Sequence, residues 1–224
     1  MRPWKLVHTT RVPDDGSELH LFQRGDEYSI KAGYSELMNS RVHGSEDALA
    51  ELGCARLAGR SRPRVLIGGL GMGFTLAAAL EQLDADADVV VAELVPAVVQ
   101  WNRELLAELA GRPLADPRVT VFVGDVGGLV RAGREEYDAI LLDVDNGPEG
   151  LTRKANDSLY SAAGLQAALA ALRPKGVLGV WSVSPDPAFS KRLRRCGFAV
   201  EEIRARARGR HGGGRHMIWL AEKR

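Results

Sequence analysis

The chain has 224 residues, 45% of them hydrophobic and 26% charged, enough for one full domain and a smaller appendage at about 150 residues per domain. With 30 basic residues against 29 acidic ones, the formal net charge of +1 argues against a protein built mainly to neutralise nucleic-acid phosphates. No apolar run reaches membrane-spanning length, and the opening MRPWKLVHTTRVPDDG lacks the apolar core of a secretory leader, so a cytoplasmic, membrane-free protein is expected.

Residues 1–40 carry three short strand-like pieces, WKLVHTT, ELHLFQR and EYSIKAG, separated by turn signals. They predict a small antiparallel unit over 1–44, too small to bury a core alone and packed on the main domain or on a second subunit. From Ser45 to Leu57 apolar residues recur at helical spacing behind a capping serine. This helix leads an α/β domain over 45–224, with a break at 59–63 (GRSRP). Beyond it, strands are predicted at 64–67 (RVLI), 88–92 (DVVVA), 118–123 (RVTVFV), 137–142 (YDAILL), 177–183 (VLGVWSV), 198–203 and 216–221. Helices are predicted at 74–83, 96–109, 159–172 and 187–196. Apolar strands alternating with helices predict a mostly parallel sheet covered on both faces. The last two strands lack a helix between them and predict an antiparallel hairpin.

Cys54 and Cys196 form no CxxC, and the 5 histidines show no metal-ligand spacing, so two reduced thiols and no metal are expected. His43, near Glu46, is the one histidine singled out, with a satisfied surface histidine as the expected reading. The segment 204–215 holds five arginines without an acid or an aromatic platform and sits between the last two strands. It predicts a solvated hairpin loop; nucleic-acid contact is the alternative.

The chemistry concentrates at strand ends. The first strand of the α/β domain runs into Gly69, Gly71 and Gly73 and then a helix, a loop that lets a ligand approach the backbone and the helix N-terminus. Its GxGxG spacing differs from the GxGxxG of dinucleotide sites. Glu93 ends the next strand and can accept hydrogen bonds from both hydroxyls of a ribose. Asp125 ends the third, where a carboxylate suits an adenine amine. The fourth delivers Asp143 and Asp145 (DVDNGPEG) to the same edge, where carboxylates attract a cationic amine and can take its proton. Tyr160, Trp181 and Asp145 are candidate acceptor-binding residues; for Trp101, core packing is expected over adenine stacking.

The stretches VLIGGLGMGFTL at 65–76, VVAELVPAVVQWNRE at 90–104, RVTVFVGDV at 118–126, YDAILLDVDNGPEG at 137–150 and LRPKGVLGVWS at 172–182 together resemble the spermidine synthase family. That family lies within the S-adenosylmethionine-dependent methyltransferase-like superfamily. The resemblance implies a Rossmann-like sheet of seven strands ending in the antiparallel hairpin, and a homodimer acting on a small amine. It implies decarboxylated S-adenosylmethionine, or S-adenosylmethionine itself, as co-substrate. Glu93 would hold the ribose, Asp125 the adenine, and Asp143 would be the catalytic base. Gly71 stands where the family carries an aspartate that grips the donor's amine. Asn146 and Gly147 stand where its acid turn carries Asp-Pro, and its Tyr-His-Glu motif appears only as His43-Gly44-Ser45-Glu46. The readings are therefore aminopropyl transfer first, with methyl transfer or a non-catalytic nucleoside-binding scaffold as alternatives.

Overall fold

The computed structural model describes residues 2–13, 16–144, 158–207 and 212–224. Four strands, β1 (Lys5–Arg11), β2 (Glu18–Arg24), β3 (Glu27–Ala32) and β4 (Ser35–Asn39), form an antiparallel meander in sequence order. Helix α1 (Gly44–Ala55) follows. The α/β succession is β5 (Arg64–Gly68), α2 (Phe74–Gln82), β6 (Asp88–Glu93), α3 (Pro96–Arg103), β7 (Val119–Val123), α4 (Val126–Ala132) and β8 (Tyr137–Leu142), then α5 (Ala162–Ala171), β9 (Leu172–Ser182), α6 (Pro187–Arg195), β10 (Phe198–Arg206) and β11 (Arg215–Lys223).

The second sheet has seven strands in the order β10-β11-β9-β8-β5-β6-β7. β7, β6, β5, β8 and β9 pair in parallel, and β11 runs antiparallel to both of its neighbours. This is the predicted α/β fold with its terminal hairpin. The apolar runs follow from burial on both faces, since successive side chains of a strand point to opposite sides. Val65, Ile67, Val89, Val91, Ala139 and Leu141 join one core cluster, while Leu66, Val90, Ile140 and Leu142 join the other. Leu19, Leu21 and Ile30 of the small sheet are buried in the first of these clusters, so the meander packs on the main unit of the same chain.

Asp138 fixes the entry side of the sheet. Its buried carboxylate accepts the backbone N–H of Arg64 at 2.8 Å and the guanidinium groups of Arg60 at 2.5 Å and Arg173 at 2.6 Å. Three chain segments are thereby tied to one charge, which is compensated where it is buried.

Three boundaries differ from expectation. β4 emerges as a fourth strand of the meander. The helix expected over 96–109 ends at Arg103, and two short 3-10 turns, Ala107–Ala110 and Pro113–Ala115, continue the chain. β9 starts at Leu172, directly after α5, and its register with β8 shifts between Tyr137 and Ala139. That irregularity accommodates Pro174, which has no N–H to give a regular ladder.

Candidate active site

The carboxyl ends of β5, β6, β7 and β8 lie side by side, with Gly68 paired to both Ala92 and Leu142 and Glu93 paired to Val123. A cavity of about 550 Å³ opens at this edge. Gly69, Gly71, Glu93, Asp125, Asp143 and Trp181 all line it. Its opposite wall comes from the small sheet, through residues including Val12, Glu18, His20, Ile30 and Met38.

The glycine loop is shaped by close approach. Gly69 has φ +89°, and a Cβ there would stand 2.2 Å from the carbonyl oxygen of Asp143. Only a residue without a side chain lets the β5 loop and the end of β8 meet this closely. At Gly71 (φ +53°) a Cβ would meet the Met38 sulfur at 2.7 Å, so β4 reaches across to the loop. Asn102 holds the loop from behind, its side-chain Nδ2 donating to the Gly71 carbonyl at 2.8 Å. Gly73 is the N-cap of α2, with φ 86°, and is not among the cavity-lining residues.

Glu93 is buried and shares in building the loop. Oε2 accepts the N–H of Leu70 at 3.0 Å, and Oε1 accepts the N–H of Val95 at 2.9 Å. Burial pushes its pKa up, while these backbone donors pull it down. The N–H groups of Gly71 and Leu94 also act on this carboxylate, so the loop wraps its backbone donors around Glu93. Asp125 caps α4, its Oδ1 accepting the N–H of Gly127 at 2.8 Å, and Oδ2 lies 3.1 Å from Arg131. Its carboxylate therefore combines a capping role with its place in the cavity wall.

Asp143 borders the cavity at the end of β8. Its Oδ2 accepts the hydroxyl of Thr75, from the first turn of α2, at 2.6 Å. Burial raises its pKa to about 6, against the lowering effect of Thr75, with the nearby charge of Asp47 raising it further. Glu46, in the first turn of α1, is buried in the same cavity wall. Burial and the neighbouring Asp143 charge push it up to about 7. Two carboxyl groups thus share one weakly hydrated space, where a second negative charge is disfavoured.

Other expected residues fall elsewhere. Tyr160 does not line the cavity; it is buried edge-on to Phe189, with ring centroids 5.7 Å apart. Asp145, together with Asn146 and Gly147, lies outside the described residues. Trp181 borders the cavity, its ring edge-on to His216 at 4.8 Å, and its indole N–H has no partner among the described residues. Trp101 is buried in the core and donates to Nδ1 of His8 at 3.1 Å. His43 is paired with Asp47 at 2.8 Å and stacked on Phe74 at 4.0 Å, outside the lining. Reading the sequence alone leaves out Glu46, Thr75 and Met38. Glu46 carried a signal in its place behind His43 at a helix start, whereas Thr75 and Met38 carried none.

The sequence profile of the spermine/spermidine synthase domain matches residues 49–191. Putrescine N-methyltransferase 2 of Nicotiana attenuata is 35% identical over 116 residues, which cover 51% of this chain and 29% of that protein. Putrescine N-methyltransferase 2 of Nicotiana tabacum is likewise 35% identical over 116 residues, covering 51% and 31%. The matched region is thus under a third of these relatives. Among solved structures, a spermidine synthase in complex with the transition-state analogue AdoDATO superposes with a TM-score of 0.76 at 18% identity, covering 98% of this chain and 73% of that one. Spermidine synthase from Thermotoga maritima gives a TM-score of 0.77, also at 18% identity and with the same coverage. The fold is shared with these enzymes, and the profile match over 49–191 places the chain in the spermine/spermidine synthase domain family.

Proposed function

We propose that the protein transfers an alkyl group from an adenosyl-sulfonium donor to an amine, the moving group being the aminopropyl chain of decarboxylated S-adenosylmethionine. The observation that carries this reading is the charge of the cavity. Glu18, Glu46, Glu93, Asp125 and Asp143 line it, and among the described residues no lysine or arginine does. An intact donor would bring a carboxylate into this field without a partner; a decarboxylated donor and a cationic amine both complement it.

The residues present fit such a donor. Glu93 lines the cavity with a carboxylate suited to a ribose diol, Asp125 can accept from an adenine amine, and Ala92, Leu94, Val95 and Val98 offer an apolar wall to a base. In this division the small unit, 1–44, closes the cavity that the 45–224 unit builds. When bound, the donor supplies a carbon activated by its sulfonium, which leaves as a neutral thioether.

The chain's own task is the amine. A primary alkyl amine, with a pKa near lysine's value of about 10.4, arrives as an ammonium ion. Carboxylates bind that cation but also stabilise it, so binding alone yields no nucleophile. Asp143 takes one proton as the nitrogen attacks; Thr75 holds Oδ2, and Oδ1, which has no hydrogen-bond partner among the described residues, receives it. The remaining gain lies in holding nitrogen and carbon in line between the small sheet and the strand ends.

One observation favours methyl transfer as a second reading. The glycine loop has no acid at Gly71 to grip a propylamine, and Met38 fills the space where such a side chain would start. A product assay separates the readings. The protein is incubated with putrescine and either donor, and products are identified by mass. An aminopropylated amine formed from the decarboxylated donor supports the first reading, and a methylated amine formed from the intact donor supports the second. Neither product with either donor would defeat both and leave the nucleoside-binding scaffold.

A further inference from the structure

Two polar side chains that the mechanism above does not use lead away from the cavity. Ser45 Oγ lies 2.6 Å from Oε2 of Glu46 and 2.8 Å from Nδ1 of His216 on β11. Ser45 and Glu46 are buried, whereas His216 is half-buried at the hairpin. We propose that Ser45 and His216 form the route by which a proton leaves the Asp143–Glu46 pair while ligands fill the cavity. The inference rests on the alkyl-transfer reading and adds a function to residues that reading leaves idle. Both act through Glu46 and are positioning residues.

Proton balance demands such a route. When an ammonium is alkylated, one N–H bond breaks, an N–C bond forms, and the S–C bond breaks with its electron pair passing to sulfur. One proton per turnover therefore remains with the protein. Ligands that fill the cavity separate Asp143 and Glu46 from bulk water. Burial and the charge of Asp143 beside Glu46 keep the two carboxyls partly protonated around neutrality, and in that fraction taking another proton requires the first to leave. The geometry offers a balanced sequence. The Glu46 carboxyl proton passes to Ser45 Oγ, the Ser45 proton passes to Nδ1 of His216, and the resulting imidazolium gives its Nε2 proton to solvent water. Rotation of the Ser45 hydroxyl back toward Glu46, with Nδ1–H then donating to Oγ, and tautomer exchange at His216 reset the path. Burial holds the His216 pKa below its ordinary value, which favours release of the proton over its retention.

Among the described residues the groups around the path are few. Asp143 acts on Glu46 from β8, Asp47 acts on it along α1, and His43 is paired with Asp47. His216 faces Ser45 and Trp181, its cross-strand partner is Ala205, and Arg204, Arg206 and Arg215 are the nearest charges along β10 and β11.

The test has two arms. In the first, single-turnover transfer is followed from pH 6.5 to 9 in wild type, Ser45→Ala and His216→Asn, with donor affinity measured by calorimetry. Asparagine keeps an acceptor near the Nδ1 position but cannot carry a proton. The rate is expected to fall about tenfold at pH 6.5 in both variants, to converge with wild type near pH 9 where the pair is ionised, and to recover in Ser45→Thr, with donor affinity unchanged. A defect of equal size at every pH, or none, would overturn the relay. The second arm needs no substrate: the His216 titration is followed by NMR in histidine-labelled, ligand-free protein. Wild-type His216 is expected to show a second inflection near pH 7, as Glu46 ionises on the far side of Ser45, and Glu46→Gln is expected to lose it. A wild-type titration without that inflection, or one that keeps it in Glu46→Gln, would overturn the proposal. If wild type transfers no alkyl group, the functional reading fails, and the titration alone decides whether the proton path exists.

Discussion

Replacing Glu46 with glutamine is expected to stabilise the protein at alkaline pH while impairing it as an enzyme. In the folded chain, burial beside Asp143 raises the Glu46 pKa from an ordinary 4.5 to about 7. The folded state therefore binds this proton more tightly than the unfolded chain does. The stability it contributes is fully present below about 4.5, declines as pH rises, and is gone above about 7. At about 1.36 kcal/mol per pH unit, the cost of ionising Glu46 in place reaches a ceiling of about 3 kcal/mol. Glutamine is nearly the same shape, can accept the Ser45 hydroxyl, and never ionises. The variant and wild type are expected to have equal stability near pH 4. Near pH 8 the variant is expected to be more stable by about 2 kcal/mol, or a rise of roughly 4–8 °C in melting temperature for a chain of this size. Urea titrations at several pH values measure the difference directly, since carboxylates outside the Asp143–Glu46 pair titrate alike in both proteins. A stability difference independent of pH, or a variant less stable at pH 8, would refute the argument that Glu46 is held in a space hostile to its charge. Such a gain in stability at a loss of turnover is the pattern expected of a strained functional site.

Further substitutions separate the roles in the cavity. Asp143→Asn can keep the Thr75 hydrogen bond but removes the proton acceptor; single-turnover rates are expected to fall roughly 100-fold or more while calorimetry finds donor affinity unchanged. Loss of donor binding with normal residual turnover would contradict the base role. Gly69→Ala places a Cβ against the Asp143 carbonyl at a positive φ, and a loss of about 3 kcal/mol or more is expected in urea unfolding. Gly71→Asp combined with Met38→Ala supplies an acid in the loop and the room for it. Competition binding is then expected to shift preference toward the decarboxylated donor by about tenfold, a single charge-assisted contact.

The parts of the fold that the sequence reveals are those dictated by local chemistry. β5, β6 and β8 are continuous Val, Ile, Leu and Ala runs because each is covered on both faces. Glu93, Asp125 and Asp143 could be placed together because each follows the end of a parallel strand, and parallel pairing brings such ends to one edge. The end of α3 was hidden because Leu105, Leu106 and Leu109 continue a helical pattern beyond Arg103, while the Leu106 N–H turns back to the Trp101 carbonyl. β4 was hidden because SELMN is short and lacks clean alternation. Met38 and Glu46 enter the site through contacts between distant segments, the meander against the glycine loop and α1 against the end of β8. For Met38 no local pattern encodes the contact, whereas Glu46 left a trace in its place behind His43 at a helix start. Tyr160 shows the converse error: its position after the acid turn suggested the cavity, but its ring packs into the core beside Phe189.

The account stands on the cavity at the strand ends accepting an adenosine attached to sulfur. Calorimetric titration with methylthioadenosine, decarboxylated S-adenosylmethionine and S-adenosylmethionine tests this without requiring turnover. One site per chain is expected, occupied by methylthioadenosine and by the decarboxylated donor, with weaker binding of the intact donor, whose carboxylate has no cationic partner among the described residues of the lining. No binding of any of the three by the folded protein would contradict the account.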